Sequence, residues 1–377
     1  MRRVLATASV LLACLLALAA PAAASSVPPG FFGVMANGPL ELPQVNLDAE
    51  YAVMHASGVQ SIRVPTLWPQ MQPYRTLDQV PAADRARYTV VDGVPTDFST
   101  MDGRVAAAAR NGLDVLSLVL ETPAWAARNP SNVFSPPRDD ADYARFLRAL
   151  VGRYGPQGSF WAQNPGVSKR PLRLWQIWNE PSLPRYFPVK SFARPYVQLL
   201  GAAYSAVKAA DPGATVVTAG LPNFSWRDLG TMYKAGLHAK GHFDAVAVHP
   251  FTGRPSDSVR ILRYVRAVMD RNGDRRAAIW VTEVSWPSGR GKAQSNQRWV
   301  TTPAGEAVKV RQVYEAYAKA ARSLKLHRAF WYAWATTDRD SPNAFDYAGL
   351  RTYTPAGRFI SKPALAAYRA VALRLEG

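Results

Sequence analysis

Apolar residues along the chain follow two patterns, short continuous runs and longer segments with helical periodicity. The short runs are bounded by turn-forming residues and have the length of buried strands. There are eight of them: FFGVMAN from Phe31, VQSIRVP from Val59, LDVLSLVLETP from Leu113, LRLWQIWNEP from Leu172, TVVTAG from Thr215, DAVAVHP from Asp244, AIWVTEVSWP from Ala278 and AFWYAW from Ala329.

Segments with helical periodicity separate these runs. The clearest cover residues 139–155, 191–211, 256–273 and 302–326. Several begin at Ser, Asp or Thr or end at Gly, as capped helices do. Eight strands, each followed by a helix, predict a (β/α)₈ TIM barrel of the α/β class. Because no internal repeat or long linker divides the chain, we expect a single domain.

The first 24 residues have the pattern of a secretory signal peptide. Two arginines, Arg2 and Arg3, precede an apolar run over residues 4–20, and small residues lead to Ala24. An uncleaved membrane anchor and a lipoprotein signal ending at Cys14 are the alternatives. We expect cleavage, with the barrel domain over residues 25–377, no stable membrane insertion, and a secreted, extracellular protein that could associate with the cell envelope.

Charge and metal-ligand content narrow the function classes. Lys and Arg number 45 against 27 Asp and Glu, a net charge of +18, which favours anionic partners or a merely solvated basic surface. The basic residues are scattered, so nucleic acid is not an expected partner. The only cysteine is Cys14, and the five His show no HxH or HExxH spacing. No Gly-rich phosphate loop precedes a helix, so we expect neither a metal nor a cofactor.

Three of only eight glutamates, Glu121, Glu180 and Glu283, stand at the ends of apolar runs. A charge in such a context is costly unless it is paired or used, and any one of them could simply cap a helix or pair with an arginine. In a parallel barrel, however, the carboxyl ends of all strands meet at the face that carries the site. We therefore expect Glu180, after the fourth run, and Glu283, in the seventh, to face one mouth.

Two carboxylates across one mouth are the groups that hydrolyse glycosidic bonds. One is protonated and assists the leaving oxygen, while the other is ionised and meets the oxocarbenium-like centre. A separation of about 5–5.5 Å gives retention of configuration, and about 6.5–9.5 Å gives inversion. The sequence alone leaves this distance open.

The segments WQIWNEP, WVTEVSW and FWYAW resemble the corresponding strand ends of the retaining glycoside hydrolases of clan A, particularly those near families 39 and 5. The resemblance covers nearly all of the chain after residue 24. It implies that Glu180 is the acid/base, that Glu283 is the nucleophile, and that Asn179 hydrogen-bonds the sugar 2-hydroxyl. It also implies that Arg63, in SIRVP, holds the nucleophile ionised.

Two strand ends depart from the clan pattern. The sixth run ends in HPF, so His249 matches but Phe251 replaces a tyrosine that would support the nucleophile. His249 is equally compatible with a buried core histidine. The third run ends in LETPAWA where many family 5 members have His, and family 39 relatives show a similar Pro-x-Trp stretch. We therefore expect Trp125, and Glu121 beside it, at the mouth as substrate-binding residues.

Tryptophan rings bind sugars because the C–H groups of a pyranose pack on the aromatic face. Most of the eleven Trp are expected in the core. Trp334, at the end of FWYAW, is the candidate floor under the reacting sugar. Trp68, Trp125 and Trp286 are candidates on loops that follow strands.

The function that we expect is a monomeric retaining glycosidase that acts on a polysaccharide or oligosaccharide through Glu180 and Glu283. Insertions at 68–100 and 285–302 would shape its cleft. The second insertion carries basic residues, which makes an acidic or sulfated sugar a candidate substrate: Arg290, Lys292 and Arg298. A non-catalytic carbohydrate-binding barrel and a transglycosidase that uses the same glutamates are the alternatives.

Overall fold

Eight parallel strands form a closed barrel in the computed structural model, which describes residues 27–376. We number them β1 to β8: Phe32–Met35, Ser61–Leu67, Asp114–Leu120, Leu174–Ile177, Thr215–Val217, Ala245–His249, Ala278–Val284 and Leu326–Trp331. Each pairs with the next in sequence, and β8 pairs with β1 to close the ring. The predicted (β/α)₈ fold is confirmed.

A long helix follows each strand and packs outside the barrel. We number these α1 to α8: Leu47–Ala56, Ser99–Arg110, Asp140–Tyr154, Ala193–Ala210, Ser225–Lys234, Pro255–Arg271, Pro303–Leu324 and Pro363–Glu376. Side-chain caps start several of them; Asp139, for example, accepts a hydrogen bond from the N–H of Ala141. The four helices bounded from the sequence begin and end within two residues of those in the structure.

The loops carry short additional elements. A hairpin of Thr89–Val91 and Val94–Thr96 lies in the insertion after β2, and a small three-stranded sheet follows β8. That sheet consists of Ala335–Thr336, Arg351–Tyr353 and Phe359–Ser361. Leu221–Pro222 forms a two-residue strand beside β6. Short helices complete the loops: Gly38–Glu41, Trp68–Met71, Leu77–Gln79, Ala82–Arg87, Ser159–Gln163, Ala239–His242 and Ala344–Tyr347.

Two apolar clusters hold the barrel together. The larger lies between strands and helices, and the smaller consists only of strand residues, among them Leu116, Trp280 and Phe330. At Gly33 an added Cβ would lie 2.4 Å from the Phe330 ring, so only glycine fits there.

The proposed signal peptide, residues 1–24, and Cys14 within it lie outside the described residues. Across residues 27–376, no helix combines the length and apolar composition needed to cross a membrane.

Candidate active site

The Asn-Glu-Pro segment turns sharply where β4 ends. β4 ends at Ile177, and the next residues include two with left-handed backbone, Trp178 (φ +70°) and Glu180 (φ +42°). Such conformations cost roughly 1–3 kcal/mol each and concentrate at functional sites. Asn179 pairs with Gly220 beyond β5, and the Glu180 N–H donates to the Gly220 carbonyl at 3.2 Å. The strained turn is thereby fixed to the neighbouring strand.

Gly220 is required because the backbone approaches the His249 ring. A Cβ at this position would lie 1.9 Å from His249 Nε2, closer than any real contact. The glycine lets the turn that carries Glu180 and the imidazole on β6 occupy adjacent space.

The two predicted carboxylates are neighbours. Glu283 lies in β7, and one oxygen of Glu180, one oxygen of Glu283 and one ring nitrogen of His249 lie within 4.8 Å of one another. Both glutamates line a cleft of about 480 Å³ at the carboxyl ends of the strands. Strand topology therefore brings together residues that are far apart in the sequence.

Glu283 is paired with a buried arginine. Arg63, fully buried on β2, donates from Nη1 to Glu283 Oε1 at 2.6 Å. Its Nη2 donates to Asn179 Oδ1 at 2.8 Å and its Nε to Gln176 Oε1 at 2.6 Å. Because the guanidinium is positively charged, it neutralises the Glu283 carboxylate and orients Asn179 at the same time.

Glu180 has a different environment. Burial raises the pKa of Glu180 to about 7, and the charges of Arg63 and Arg185 only partly oppose this effect. A large share of Glu180 therefore carries a proton near neutral pH.

His249 is uncharged and connects the two glutamates. Burial lowers the pKa of His249 to about 4, with Glu283 opposing and Arg63 reinforcing the shift. Its Nδ1 lies 2.8 Å from Glu180 Oε1, and its Nε2 lies 3.0 Å from Thr282 Oγ1 and 3.6 Å from Glu283 Oε1. As a neutral imidazole it donates one hydrogen bond and accepts one.

A chain of hydrogen bonds decides which ring nitrogen carries the proton. Arg63 can only donate, so Gln176 must accept through Oε1 and donate through Nε2, which lies 3.3 Å from Thr282 Oγ1. Thr282 accepts this bond and directs its own proton to His249 Nε2. The imidazole proton then lies on Nδ1 and is donated to Glu180 Oε1. This arrangement leaves Oε2 of Glu180 for a proton that moves during a reaction.

The same three side chains are the one group of metal-binding type found among residues 27–376: Glu180, His249 and Glu283. Their surroundings fit a metal ion poorly. Both nitrogens of His249 already have hydrogen-bond partners, and the cationic Arg63 occupies the position 2.6 Å from Glu283. A divalent cation there would be repelled by the guanidinium.

Aromatic residues that the sequence analysis did not select line the cleft. Tyr332, next to the end of β8, contributes to the cleft wall, and burial, followed by the charge of Glu283, raises the pKa of its hydroxyl. Phe251 stacks on Trp299 with ring centroids 5.1 Å apart, and Phe345 packs against both. Phe251, in place of the expected tyrosine, thus contributes an apolar wall.

Three of the four candidate tryptophans lie in the core rather than in the cleft. Trp334 is fully buried and donates from Nε1 to Glu50 Oε2 at 2.9 Å. Trp68 is fully buried and stacks on Phe146, and Trp286 is 1% exposed beside Trp331. A buried ring cannot meet a sugar, so these placements differ from the expectation for all three.

The remaining candidates do not line the cleft. Trp125 is half-buried, and its indole N–H donates to the Gln72 carbonyl at 2.8 Å. Glu121 has a left-handed backbone (φ +70°), and burial, followed by the charge of Glu41, raises its pKa. Among the basic residues after β7, Arg290 and Lys292 are exposed and do not line the cleft, while Arg298 lines a neighbouring groove.

Several residues of the site have a signal in the sequence but lie outside the predicted set. Gln176 is the single polar residue within the apolar run LRLWQIW after its first arginine, and Thr282 directly precedes Glu283. Arg185, on the loop after β4, lines the cleft and is near enough to Glu180 to affect its pKa. Loop residues such as Arg185 carry no periodic pattern that would single them out.

Comparison of this fold with solved structures gives a consistent picture. A family 39 glycoside hydrolase from the gut symbiont Bacteroides cellulosilyticus WH2 is similar with a TM-score of 0.65 and 20% identity, covering 93% of this chain and 65% of that chain. A monomeric beta-xylosidase from Caulobacter crescentus CB15 is similar with a TM-score of 0.63 and 17% identity, covering 92% and 69%. A family 51 alpha-L-arabinofuranosidase from Bifidobacterium longum is similar with a TM-score of 0.60 and 14% identity, covering 94% and 75%.

No family model matches the sequence, and no curated protein matches it either. The chain spans about two thirds of the length of the first of these structures. At these identities the likeness concerns the fold. The resemblance to clan A glycoside hydrolases, family 39 among them, is thus confirmed for the fold.

Proposed function

We propose that the protein is a retaining glycosidase that hydrolyses O-glycosidic bonds of a polysaccharide or oligosaccharide by double displacement. The observation that carries the proposal is the pair Glu180 and Glu283, with oxygens within 4.8 Å and with opposite electrostatic surroundings. Among residues 27–376, this pair lies at the carboxyl-end face of a barrel whose structural relatives are glycoside hydrolases.

The separation supports retention. Inverting enzymes hold their carboxyl groups about 6.5–9.5 Å apart to admit a water molecule, whereas retaining enzymes hold them about 5–5.5 Å apart. The closest oxygens of Glu180 and Glu283 lie 4.8 Å or less apart, and this short approach supports retention in the proposal.

In the first step, an oxygen of Glu283 bonds to the anomeric carbon while the bond from that carbon to the leaving oxygen breaks. The proton of Glu180 goes to the leaving oxygen, so the leaving group departs as a neutral alcohol. In the second step, Glu180, now ionised, takes a proton from water, the water oxygen bonds to the anomeric carbon, and Glu283 is released. Arg63 compensates the charge of Glu283 before and after this cycle.

Asn179 fits the role of holding the reacting sugar. Its Oδ1 accepts from Arg63 at 2.8 Å, which fixes the amide orientation, and its side chain lines the cleft. The amide N–H groups are then available to donate to a sugar hydroxyl, such as the 2-hydroxyl.

Secretion through a cleaved segment over residues 1–24 remains part of the proposal, in keeping with a polymeric substrate outside the cell.

The test is turnover of a panel of aryl glycosides and polysaccharides by the wild type and by Glu180→Gln and Glu283→Gln. We expect turnover of at least one substrate, loss of that turnover in both variants, and a first product with the anomeric configuration of the substrate, followed by NMR. Turnover that persists in both variants would place the site elsewhere. Saccharide binding without any turnover would favour a carbohydrate-binding barrel, and transfer to sugar acceptors in place of water would favour a transglycosidase.

A further inference from the structure

A second groove continues from the catalytic cleft along the loops after β5 and β6. Its volume is about 620 Å³, and it shares Asn223 and Phe251 with the cleft. It runs between the start of α5 and the first turns of α6, with Phe224 and Tyr264 in its wall. A chain that occupies the cleft can therefore pass directly into this groove.

The groove holds the most exposed aromatic side chains among residues 27–376. Phe224 is 56% exposed and Tyr264 is 45% exposed. Half-buried Trp226 lies between them, with ring centroids 5.5 Å from Phe224 and 5.0 Å from Tyr264. The three rings thus form one continuous surface, which we call the aromatic platform.

An exposed aromatic surface beside a polar cleft suits a sugar. The negative face of an aromatic ring attracts the slightly positive C–H groups on the apolar face of a pyranose, and exposed apolar area of this kind marks interaction sites. Hydroxyl groups at the edge of the sugar would remain in water. The platform therefore fits a saccharide better than a fully apolar partner.

The charged groups around the platform are mainly basic. Arg298 is exposed in the groove wall, and the Arg227 guanidinium lies 4.8 Å from the centroid of the Phe224 ring. Arg260 also lines the groove but is paired with Asp257 at 3.1 Å. Three arginines against one aspartate favour a ligand that carries acidic groups.

We infer that this groove binds the sugar units beyond the reacting bond of an anionic polysaccharide, with the aromatic platform stacking a pyranose and Arg298 meeting a carboxylate or sulfate group. The inference rests on the proposed glycosidase function for the position of the reacting bond. It adds the substrate class, which is an anionic polymer. Some of its sugar units would lie in the cleft and others in the groove, on either side of the shared residues Asn223 and Phe251.

The first experiment measures binding with the Glu283→Gln protein, so that no polymer is consumed. The probes are polygalacturonate and chondroitin sulfate as anionic polymers, and xylan and galactomannan as neutral ones, in affinity gel electrophoresis. We expect Phe224→Ala/Tyr264→Ala to weaken binding of an anionic polymer at least about tenfold. The matched control Val308→Ala/Leu373→Ala, which removes two exposed apolar side chains on α7 and α8, should change it less than twofold.

A charge variant tests the acidic part of the inference. Arg298→Gln should weaken binding of the anionic polymer several-fold and remove part of its salt dependence, with no effect on a neutral polymer. Arg311→Gln, an exposed arginine on α7, is the control. Equal binding of anionic polymers by wild type and both groove variants, or no binding of any probe, would overturn the inference.

Kinetics separates this inference from the proposed function. The platform variant should lose polymer turnover while cleaving a small aryl glycoside at the wild-type rate. Polymer turnover unchanged in the platform variant overturns the groove but leaves the glycosidase intact. Polymer binding that depends on the platform, without turnover of any substrate, would overturn the proposed glycosidase function but support the groove as a polysaccharide-binding site. A wild-type dimer that the platform variant converts to a monomer would reassign the surface to a second copy of this chain.

Discussion

Glu180 and Glu283 approach each other within 4.8 Å, yet the protein surrounds them in opposite ways. Glu283 forms an ion pair with Arg63 at 2.6 Å. Glu180 faces the uncharged His249, and burial raises its pKa to about 7. Two identical side chains thus have different neighbours, a cation in one case and an uncharged imidazole in the other, and this difference is the basis for proposing one as the acid and the other as the nucleophile.

One buried arginine takes part in the surroundings of both glutamates. Arg63 touches Glu283 directly, whereas its hydrogen bonds lead to Glu180 through Gln176, Thr282 and His249. Its charge therefore acts on Glu283 through a direct contact, whereas at Glu180 it only partly opposes the effect of burial on the pKa. Substituting either glutamate, or a residue of the hydrogen-bond chain between them, therefore tests this difference.

The largest effect is expected from removing the proposed nucleophile. Glu283→Ala should lower kcat by about 10⁴-fold or more, because no group remains to form the covalent intermediate. Added azide can enter the vacated space and attack from that side, giving a glycosyl azide of inverted configuration. NMR of the product checks this result.

A control distinguishes loss of chemistry from loss of fold. Glu315→Ala, on the surface of α7, should keep wild-type activity. An azide product of retained configuration from Glu283→Ala would mean that the roles of the two glutamates are exchanged.

Removing the acid should have a smaller effect that depends on the leaving group. Glu180→Ala should lower kcat/KM by about 10²–10⁴-fold for substrates with poor leaving groups. With an activated leaving group such as dinitrophenolate, glycosylation needs little protonation and should be nearly preserved. Stopped-flow release of the phenolate measures both cases, and an equal loss for every leaving group would contradict the acid role.

The pH profile of the wild type tests the raised pKa of Glu180. Because the acid must be protonated, kcat/KM should fall above about pH 7, by about tenfold for each pH unit. The measurement is initial rates from pH 5 to 9 on one aryl glycoside. Constant activity up to pH 9 would show that Glu180 is not the acid.

The barrel and the meeting of Glu180 and Glu283 in one cleft could be predicted from sequence because both follow from where apolar runs end. Strand ends in a parallel barrel share one face, so Glu180 and Glu283 could be placed together without any distance. The resemblance predicts Arg63 and Asn179, and in the structure the Arg63 guanidinium donates one hydrogen bond to Glu283 and another to Asn179.

The tryptophans show why the rest could not be predicted. The apolar pattern predicts the eighth strand at residues 329–334, whereas β8 spans Leu326–Trp331. Trp334 therefore lies beyond the strand, where it contacts Glu50, and Tyr332 lines the cleft instead. A shift of a few residues in a strand boundary changes which ring faces the site, and apolar periodicity does not fix such boundaries.

Thr282→Val tests the hydrogen-bond chain and should have an intermediate effect. Without the hydroxyl, His249 Nε2 loses its donor, so the proton is no longer held on Nδ1 and donation to Glu180 weakens. Because that donation favours the charged carboxylate, the pKa of Glu180 should rise. The alkaline limb of the pH profile, the part in which kcat/KM falls with rising pH, should then move to higher pH. We also expect kcat to fall about tenfold, because the acid is less well ordered. Thr66→Val, a buried threonine on β2 bonded to Ser117, is the matched control and should leave the limb unchanged. An unmoved limb in Thr282→Val would mean that the chain serves only packing.

The smallest expected effect is on stability, and its sign follows from the same raised pKa. Glu180 has a folded-state pKa of about 7 against an ordinary value of 4.5, so the native state binds more protons than the unfolded state between these values. Stability therefore decreases as pH rises through this window.

Glu180→Gln removes the buried charge and should raise Tm at pH 8 by a few degrees relative to wild type, with little difference at pH 4. Glu121→Gln should change Tm in the same direction, because burial also raises the pKa of Glu121. A Glu180→Gln variant that melts below wild type at pH 8 would show that the ionised Glu180 is stabilised by its neighbours, and that the contrast with Glu283 is smaller than the geometry indicates.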